Sequence, residues 1–363
     1  MASKTNNKIS RVSKKPRAKS ASRASSSFAS WEALRPGDLV DVVAPGFCPT
    51  DDEVEAGVKF LESWGLRARL PHDLFGADVI ASNTDEKRLK HLSHALLASD
   101  SRAVWCLRGG YGAIRLVPGL LKLKKPARAK VVLGLSDVTT IQQWLAVKWK
   151  WPSLQAPLLD RLGRTVDASL VREGKPRPPE AQVEELRRIV FGETSTVLFE
   201  GLHRLAAPSG EPKKSAALIR GRMTGGNLVT YASAIGTKIH PSTEGQILYF
   251  EDIGERGYRV DRLLEQLVQT EVVTAKTRAI VFGEFVAGLE TDGASRVPAV
   301  LERFAREWGA RSRVPMFTGV TSGHGLNQRV VPLGTEAVLD LRSGSLEIET
   351  AVVHSIARTR ARS

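Results

Sequence analysis

Lys130-Val131-Val132-Leu133-Gly134-Leu135-Ser136-Asp137-Val138-Thr139-Thr140 decides the fold. Its apolar run reads as a strand buried on both faces, and Gly134 ends it. A helix over about 137–147 follows at once. A fully apolar strand running straight into a helix is half of a βαβ unit, the building block of parallel sheets. The same pattern recurs on either side. Residues 39–44 read as a strand that breaks at Pro45-Gly46. Thr50-Asp51-Asp52-Glu53 is a capping box that opens a helix carrying Val54, Val58, Leu61 and Trp64 at helical spacing. Residues 68–70 form a short strand, 85–97 a helix and 103–107 a strand ending at Arg108-Gly109-Gly110-Tyr111-Gly112.

A second α/β stretch starts near Ala217. Its strands fall at 246–250, 279–283 and 314–317, its helices at 258–268 and 298–308. Short strands near Val330, Val338 and Leu346 close it. Strands alternating with helices imply an α/β fold with right-handed crossovers. The expected units are a basic, disordered tail over 1–30 and an N-terminal domain over 31–170. A Pro- and Gly-rich connection over 171–216 leads to a C-terminal domain over 217–363.

The chain has 363 residues, 53 Lys and Arg against 39 Asp and Glu, and a net charge of +14. Eight of the cations (Lys4, Lys8, Arg11, Lys14, Lys15, Arg17, Lys19 and Arg23) lie in the first thirty positions, which hold no acid. Without them 45 cations face 39 acids, or +6, so the body is only mildly basic. The tail suits a solubilising role, with weak nucleic-acid binding or organelle targeting as sharper alternatives. Two cysteines, Cys48 and Cys106, exclude a disulfide framework and a Cys-rich zinc site, and both are expected to be buried thiols. No apolar run is long enough for a membrane helix. No motif for a metal or cofactor is complete, and the cytoplasm is the expected location.

Parallel sheets present ligand sites beyond the C-terminal ends of their strands. Four strand ends hold reactive chemistry. Ser136, between strand and helix, resembles a hydrolase nucleophile elbow, although Val138 stands where the second glycine of G-x-S-x-G would be. Its alternative is a helix N-cap. The 108–112 loop has glycines that let backbone amides approach a ligand; its alternatives are a phosphate loop or a plain turn. Glu251 and Asp252 follow an apolar strand and could orient a histidine or cap a helix. His324 sits between Gly323 and Gly325, free to approach a partner, where a lone histidine is otherwise structural. Together these ends suggest Ser136 as nucleophile, His324 as base and Glu251 as its orienter.

The chain resembles the LD-carboxypeptidase family, serine peptidases that include muramoyltetrapeptide carboxypeptidase and the microcin-immunity peptidases. The resemblance rests on Val43-Ala44-Pro45, Arg108 to Gly112, Gly134 to Thr139, Gly225-Gly226-Asn227-Leu228, Leu248 to Asp252, and Gly319 to Asn327 with Pro332-Leu333-Gly334. It implies a Rossmann-like N-terminal domain carrying the serine and a smaller C-terminal α/β domain carrying Glu251 and His324, with the site between them. It also implies an oxyanion hole from the amides of Asp137 and of Gly109 or Gly110, with Asn227 among the substrate-binding residues. The implied reaction releases D-alanine from a murein tetrapeptide, in a cytoplasmic homodimer without cofactor or metal. Leu135 and Gln155-Ala156 depart from the family's common aromatic and His-Gly residues, and are expected to line the substrate side. Arg108, Arg256 and Arg259 are candidates for reading the terminal carboxylate. A microcin-immunity-type cleavage of acyl-nucleotide conjugates is the alternative, with Trp151 as a candidate stacking surface. A non-catalytic nucleotide- or nucleic-acid-binding protein is the second alternative.

Overall fold

The structure is a computed structural model that describes residues 28–172, 174–206 and 217–354. Most of the basic tail, part of the connection and the last nine residues lie outside them. The body starts earlier than residue 31. Ala29 donates its amide to the Lys150 carbonyl, and Arg222 lies 4.4 Å over the Phe28 ring.

From the N-terminus, strands β1 (Trp31–Glu32), β2 (Leu39–Val43), β3 (Arg67–Arg69), β4 (Ala103–Cys106), β5 (Val131–Gly134) and β6 (Ser153–Gln155) alternate with helices α1 (Asp51–Ser63), α2 (Asp85–Leu97), α3 (Ala113–Leu120) and α4 (Thr139–Trp144). The capping box forms as read: Thr50 Oγ1 accepts from the Glu53 amide, and Glu53 Oε2 from the Thr50 amide. The helix after Ser136 has a 3₁₀ turn first, then α4, then a π turn over Leu145–Trp149. Short α5 (Leu159–Leu162) and α6 (Glu180–Val190) lead to β7 (Thr196–Phe199) and β8 (His203–Arg204).

The second half runs β9 (Leu218–Asn227), α7 (Leu228–Ala232), β10 (Gln246–Ile253), α8 (Gly257–Gln269), β11 (Ala279–Val286), α9 (Val297–Phe304), α10 (Ala310–Ser312), β12 (Met316–Gly323), β13 (Val331–Leu333), β14 (Glu336–Asp340), β15 (Ser345–Glu349) and β16 (Val352–Val353).

Two large sheets result. The first has the order β13-β6-β5-β4-β2-β3, and its five strands from the N-terminal half are parallel. The second has the order β7-β15-β14-β9-β10-β11-β12-β8, with parallel β9 to β12 at its centre. The fold class is thus α/β, with parallel cores in both halves.

Three details depart from the sequence reading. The strand near Val330 does not close the second sheet; β13 pairs antiparallel with β6 on the edge of the first. The connection is not merely a linker, because β7 and β8 complete the two edges of the second sheet. With eight strands against six, the second sheet is the larger of the two. Those edges are short, where pairing depends on distant partners rather than local pattern. One continuous apolar cluster joins residues of both halves, from Val131 and Leu154 to Ile247, Val281 and Phe317.

Candidate active site

Ser136 leaves β5 through a sharp turn. Gly134 makes room for it: a Cβ there would stand 2.9 Å from both Val138 methyls. Ser136 itself has φ 67°, in the left-handed region that favours glycine. A serine held there stores on the order of 1–3 kcal/mol of strain, as nucleophile-bearing turns commonly do. Its neighbour Asp137 begins a helical turn, whose first amides have no intrahelical acceptor and carry partial positive charge.

The glycine loop lies directly against this turn. A Cβ on Gly109 would meet Ser136 Cβ at 2.7 Å and its Oγ at 3.1 Å. Gly109 is buried, while Gly110 is exposed with φ 95°. The Gly109 carbonyl accepts from the Phe47 amide at 2.7 Å, which locks the Pro45-Gly46-Phe47 turn across the loop. Asp137 Oδ2 accepts from the Ala113 amide at 2.8 Å and ties the far end of the loop to the serine turn. Burial pushes the Asp137 carboxyl up to about 6, against the pull of its backbone donors.

Glu251 lies on β10 and is fully buried. Its Oε2 is 2.6 Å from His324 Nδ1, and its Oε1 has no hydrogen-bond partner among the described residues. His324 follows the last residue of β12, and its side chain is mostly buried. Burial lowers its proton affinity, but the charge and hydrogen bond of Glu251 outweigh it, so the net shift is upward from 6.5. A buried carboxylate on Nδ1 fixes the ring's orientation and leaves Nε2 as the nitrogen that can exchange a proton with another group. Gly323 permits the approach, since a Cβ there would crowd Glu251 Oε2 at 3.3 Å.

Asn227 pairs in register with Glu251 across β9 and β10. Its side chain is spent on structure: Oδ1 accepts from the Thr230 amide and hydroxyl, and Nδ2 donates to Asp252 Oδ1 at 2.8 Å. It caps α7 and holds Asp252, whose carboxyl burial raises to about 6.

The arginine candidates are already paired. Arg108 Nη1 stands 3.3 Å from Glu53 and 3.5 Å from Asp160. Arg256 pairs with Glu290 at 3.2 Å, and Arg259 with Glu255 at 3.7 Å. Trp151 is buried against Trp149 and offers no stacking face. Leu135, Gln155 and Ala156 are likewise buried, so they shape the site from beneath rather than lining its open side. Cys106 is buried and Cys48 only half-buried.

Two groups carried no sequence signal. Arg161 on α5 donates to the carbonyls of Gly325 and Leu326, just beyond His324. Gln182 on α6 donates to Asn327 Oδ1 at 2.7 Å. Both belong to stretches without a motif, and only the folded chain brings them to the histidine loop.

Comparison with known proteins gives the same architecture. The family model for the LD-carboxypeptidase N-terminal domain matches residues 40–156, and that for the C-terminal domain matches 220–339. The murein tetrapeptide carboxypeptidase of Pseudomonas aeruginosa is 30% identical over 320 residues, covering 87% of this chain and 96% of that protein. The crystal structure of muramoyltetrapeptide carboxypeptidase from Oxalobacter formigenes superposes with a TM-score of 0.67 at 24% identity, covering 86% of this chain and 98% of that one. A microcin C7 self-immunity protein superposes at 0.72 with 20% identity, covering 88% and 98%. The serine turn and glycine loop fall within the first matched domain, and the Glu251–His324 pair within the second. The chain belongs to the LD-carboxypeptidase family of peptidases.

Proposed function

We propose that the protein is a serine carboxypeptidase that hydrolyses an L–D peptide bond and releases terminal D-alanine from murein tetrapeptides. The observation that carries the reading is the buried Glu251 bound to His324 Nδ1 at 2.6 Å, in a chain whose serine turn bears a left-handed Ser136. In this reading His324 Nε2 takes the Ser136 proton, and Oγ attacks the carbonyl of the L-residue. The Asp137 amide and that of Gly109 or Gly110 receive the oxyanion. The C–N bond breaks as the imidazolium protonates the D-alanine amine. Water, deprotonated by His324, then hydrolyses the acyl-enzyme. Glu251 keeps the ring oriented and stabilises the imidazolium.

The similarity to a murein tetrapeptide carboxypeptidase supports this substrate class. The described residues contain no helix long and apolar enough to cross a membrane; cytoplasmic muropeptide recycling is part of the proposal. A homodimer is part of the same proposal. Trp151 is buried and does not supply the stacking surface considered for cleavage of acyl-nucleotide conjugates.

The test is D-alanine release from murein tetrapeptide, with Ser136→Ala as control. Release by the parent protein and a loss of about 10⁴-fold or more in the variant is expected. Equal release by both, or none by the parent, overturns the proposal.

A further inference from the structure

The chain crosses between the two sheets immediately after His324. It leaves the second sheet at the end of β12 (Gly323) and enters the first as β13 (Val331). The histidine therefore rides on the link between the two halves, and its position depends on what holds that link.

The second sheet holds one side. Glu251 binds the imidazole, the Tyr249 hydroxyl donates to the Ser322 carbonyl at 3.0 Å, and Glu284 Oε1 accepts from Asn327 Nδ2 at 2.9 Å. The connection holds the loop's end, where Gln182 engages both Asn327 and the Gln328 amide. Among the described residues, both hydrogen bonds that reach residues 324–328 from the serine-bearing half come from Arg161. Its Nη1 donates to the Gly325 carbonyl at 2.9 Å and its Nη2 to the Leu326 carbonyl at 2.6 Å.

Arg161 stands on a firm base. Asp160, its neighbour, donates its amide to the Leu107 carbonyl beside the glycine loop. Helix α5 and the turn after it press on α1 through glycines: a Cβ on Gly57 would meet Leu159 Cβ at 3.2 Å, and one on Gly163 would meet Ala56 Cβ at 2.8 Å. Arg161 is only 7% exposed, and its Nε has no hydrogen-bond partner among the described residues. Burying a guanidinium is costly unless its donors are used, and a planar fork spanning two successive carbonyls uses two in one fixed geometry.

We propose that Arg161 is a positioning residue that fixes the His324 loop against the serine-bearing half, holding the base's backbone while Glu251 holds its ring. This rests on the reading of His324 as general base for Ser136. A lysine cannot reproduce the role, because one ammonium lacks the fork that spans both carbonyls. A catalytic base displaced by about 1 Å can lose on the order of 100-fold in rate.

The charged groups facing His324 are Glu251 and Asp252 from β10 and Arg161 from α5; Glu284 of β11 holds the next part of the loop. The positive charge of Arg161 opposes protonation of His324. Its removal therefore shifts imidazole titration, and with it the acid limb of activity, to higher pH.

The experiment measures the rate of Ser136 phosphonylation by a fluorophosphonate probe across pH 5–9, together with kcat and KM for murein tetrapeptide. The proteins are the parent, Arg161→Lys, Arg161→Gln and Ser136→Ala, each checked by circular dichroism and thermal unfolding. Both Arg161 variants should label about 10- to 100-fold more slowly, with kcat reduced in parallel and KM changed by less than about 3-fold. Only Arg161→Gln should move the acid limb upward, because lysine keeps the charge. Parental labelling rates and pH profiles in folded Arg161 variants overturn the proposal. So does a loss confined to KM. Should Ser136→Ala label as fast as the parent, the serine-peptidase reading itself fails, whatever Arg161 does.

Discussion

At Ser136, Gly109 and Glu251 the chemistry is set by single atoms. Glu251 raises the His324 proton affinity above the level that burial alone would give. In the proposed mechanism only the neutral imidazole takes the serine proton, so activity should fall as pH drops through this raised value. Glu251→Gln removes the larger opposing charge and its charged hydrogen bond, leaving burial opposed by Asp252 alone. The acid limb of kcat/KM should then move to lower pH, while kcat falls by about 10³–10⁴-fold through loss of the oriented base. A pH–rate series on both proteins checks this, and an unmoved limb would remove Glu251 from the site. Gly109→Ala makes a different error. The added methyl would stand 2.7 Å from Ser136 Cβ, and Gly109 is not in the left-handed region, so crowding rather than backbone strain is the fault. A fold with unchanged circular dichroism and a kcat lowered about 10- to 100-fold is expected. Full activity in that variant would mean that the loop and the serine turn do not act together.

Elements matter through the ties between them. The glycine loop and the serine turn are separate in sequence, and the Asp137 carboxylate joins them through the Ala113 amide. Asp137→Ala keeps the Asp137 backbone amide but frees the loop that carries Gly109 and Gly110. Steady-state kinetics should show kcat reduced by about 100-fold with KM nearly constant, the pattern of a lost transition-state interaction. A rise in KM at constant kcat would instead place the loop in ground-state binding. This scale also explains what the sequence discloses. Helix α2 spans residues 85–97 as its pattern predicts, and the Thr50–Glu53 capping box is visible because both partners lie within one turn. Ser136 and Glu251 attract notice because each closely follows an apolar run, and His324 because it stands between two glycines. β13 is misassigned, since nothing local distinguishes an edge strand of one sheet from that of another. Arg108 and Arg256 read as candidates for the substrate carboxylate because the carboxylates that occupy them, Glu53, Asp160 and Glu290, are distant in sequence or follow a separate strand. Arg161 belongs to no motif at all.

Across the whole molecule, the site makes stability and activity respond to pH in opposite directions. Burial raises the carboxyls of Asp137, Asp160 and Asp252 to about 6, against the pull of Ala113, of Arg108 and of the Val229 amide respectively. An acid whose folded value exceeds its unfolded one binds more protons when folded, so folding is favoured as pH falls through about 6. His324 has the same sign: its stabilisation is complete below the unfolded value and is lost as pH rises through the folded one. The exposed carboxylates of Asp73, Asp85 and Asp100 are held below their usual range by Lys87, Arg115 and Arg69, and withdraw support only as pH drops below about 4. Lys130, lowered to about 8 by burial, adds stability with rising pH only beyond that value. The melting temperature should therefore be highest near pH 4–5 and decline as pH rises through about 6, each buried aspartate contributing on the order of 1–3 kcal/mol over the whole interval between its unfolded and folded values, with His324 extending the decline above 6.5. In the proposed mechanism catalysis needs neutral His324 and improves as pH rises through its raised value. Thermal unfolding at pH 5.5 and 8 tests the argument, with Asp252→Asn expected to flatten the decline. A melting temperature that rises from pH 5.5 to 8 would mean that the buried carboxylates are not the dominant titrating groups. The expected decline would tie the pH response of the fold to the same desolvation that surrounds the serine turn and the histidine's acidic partner.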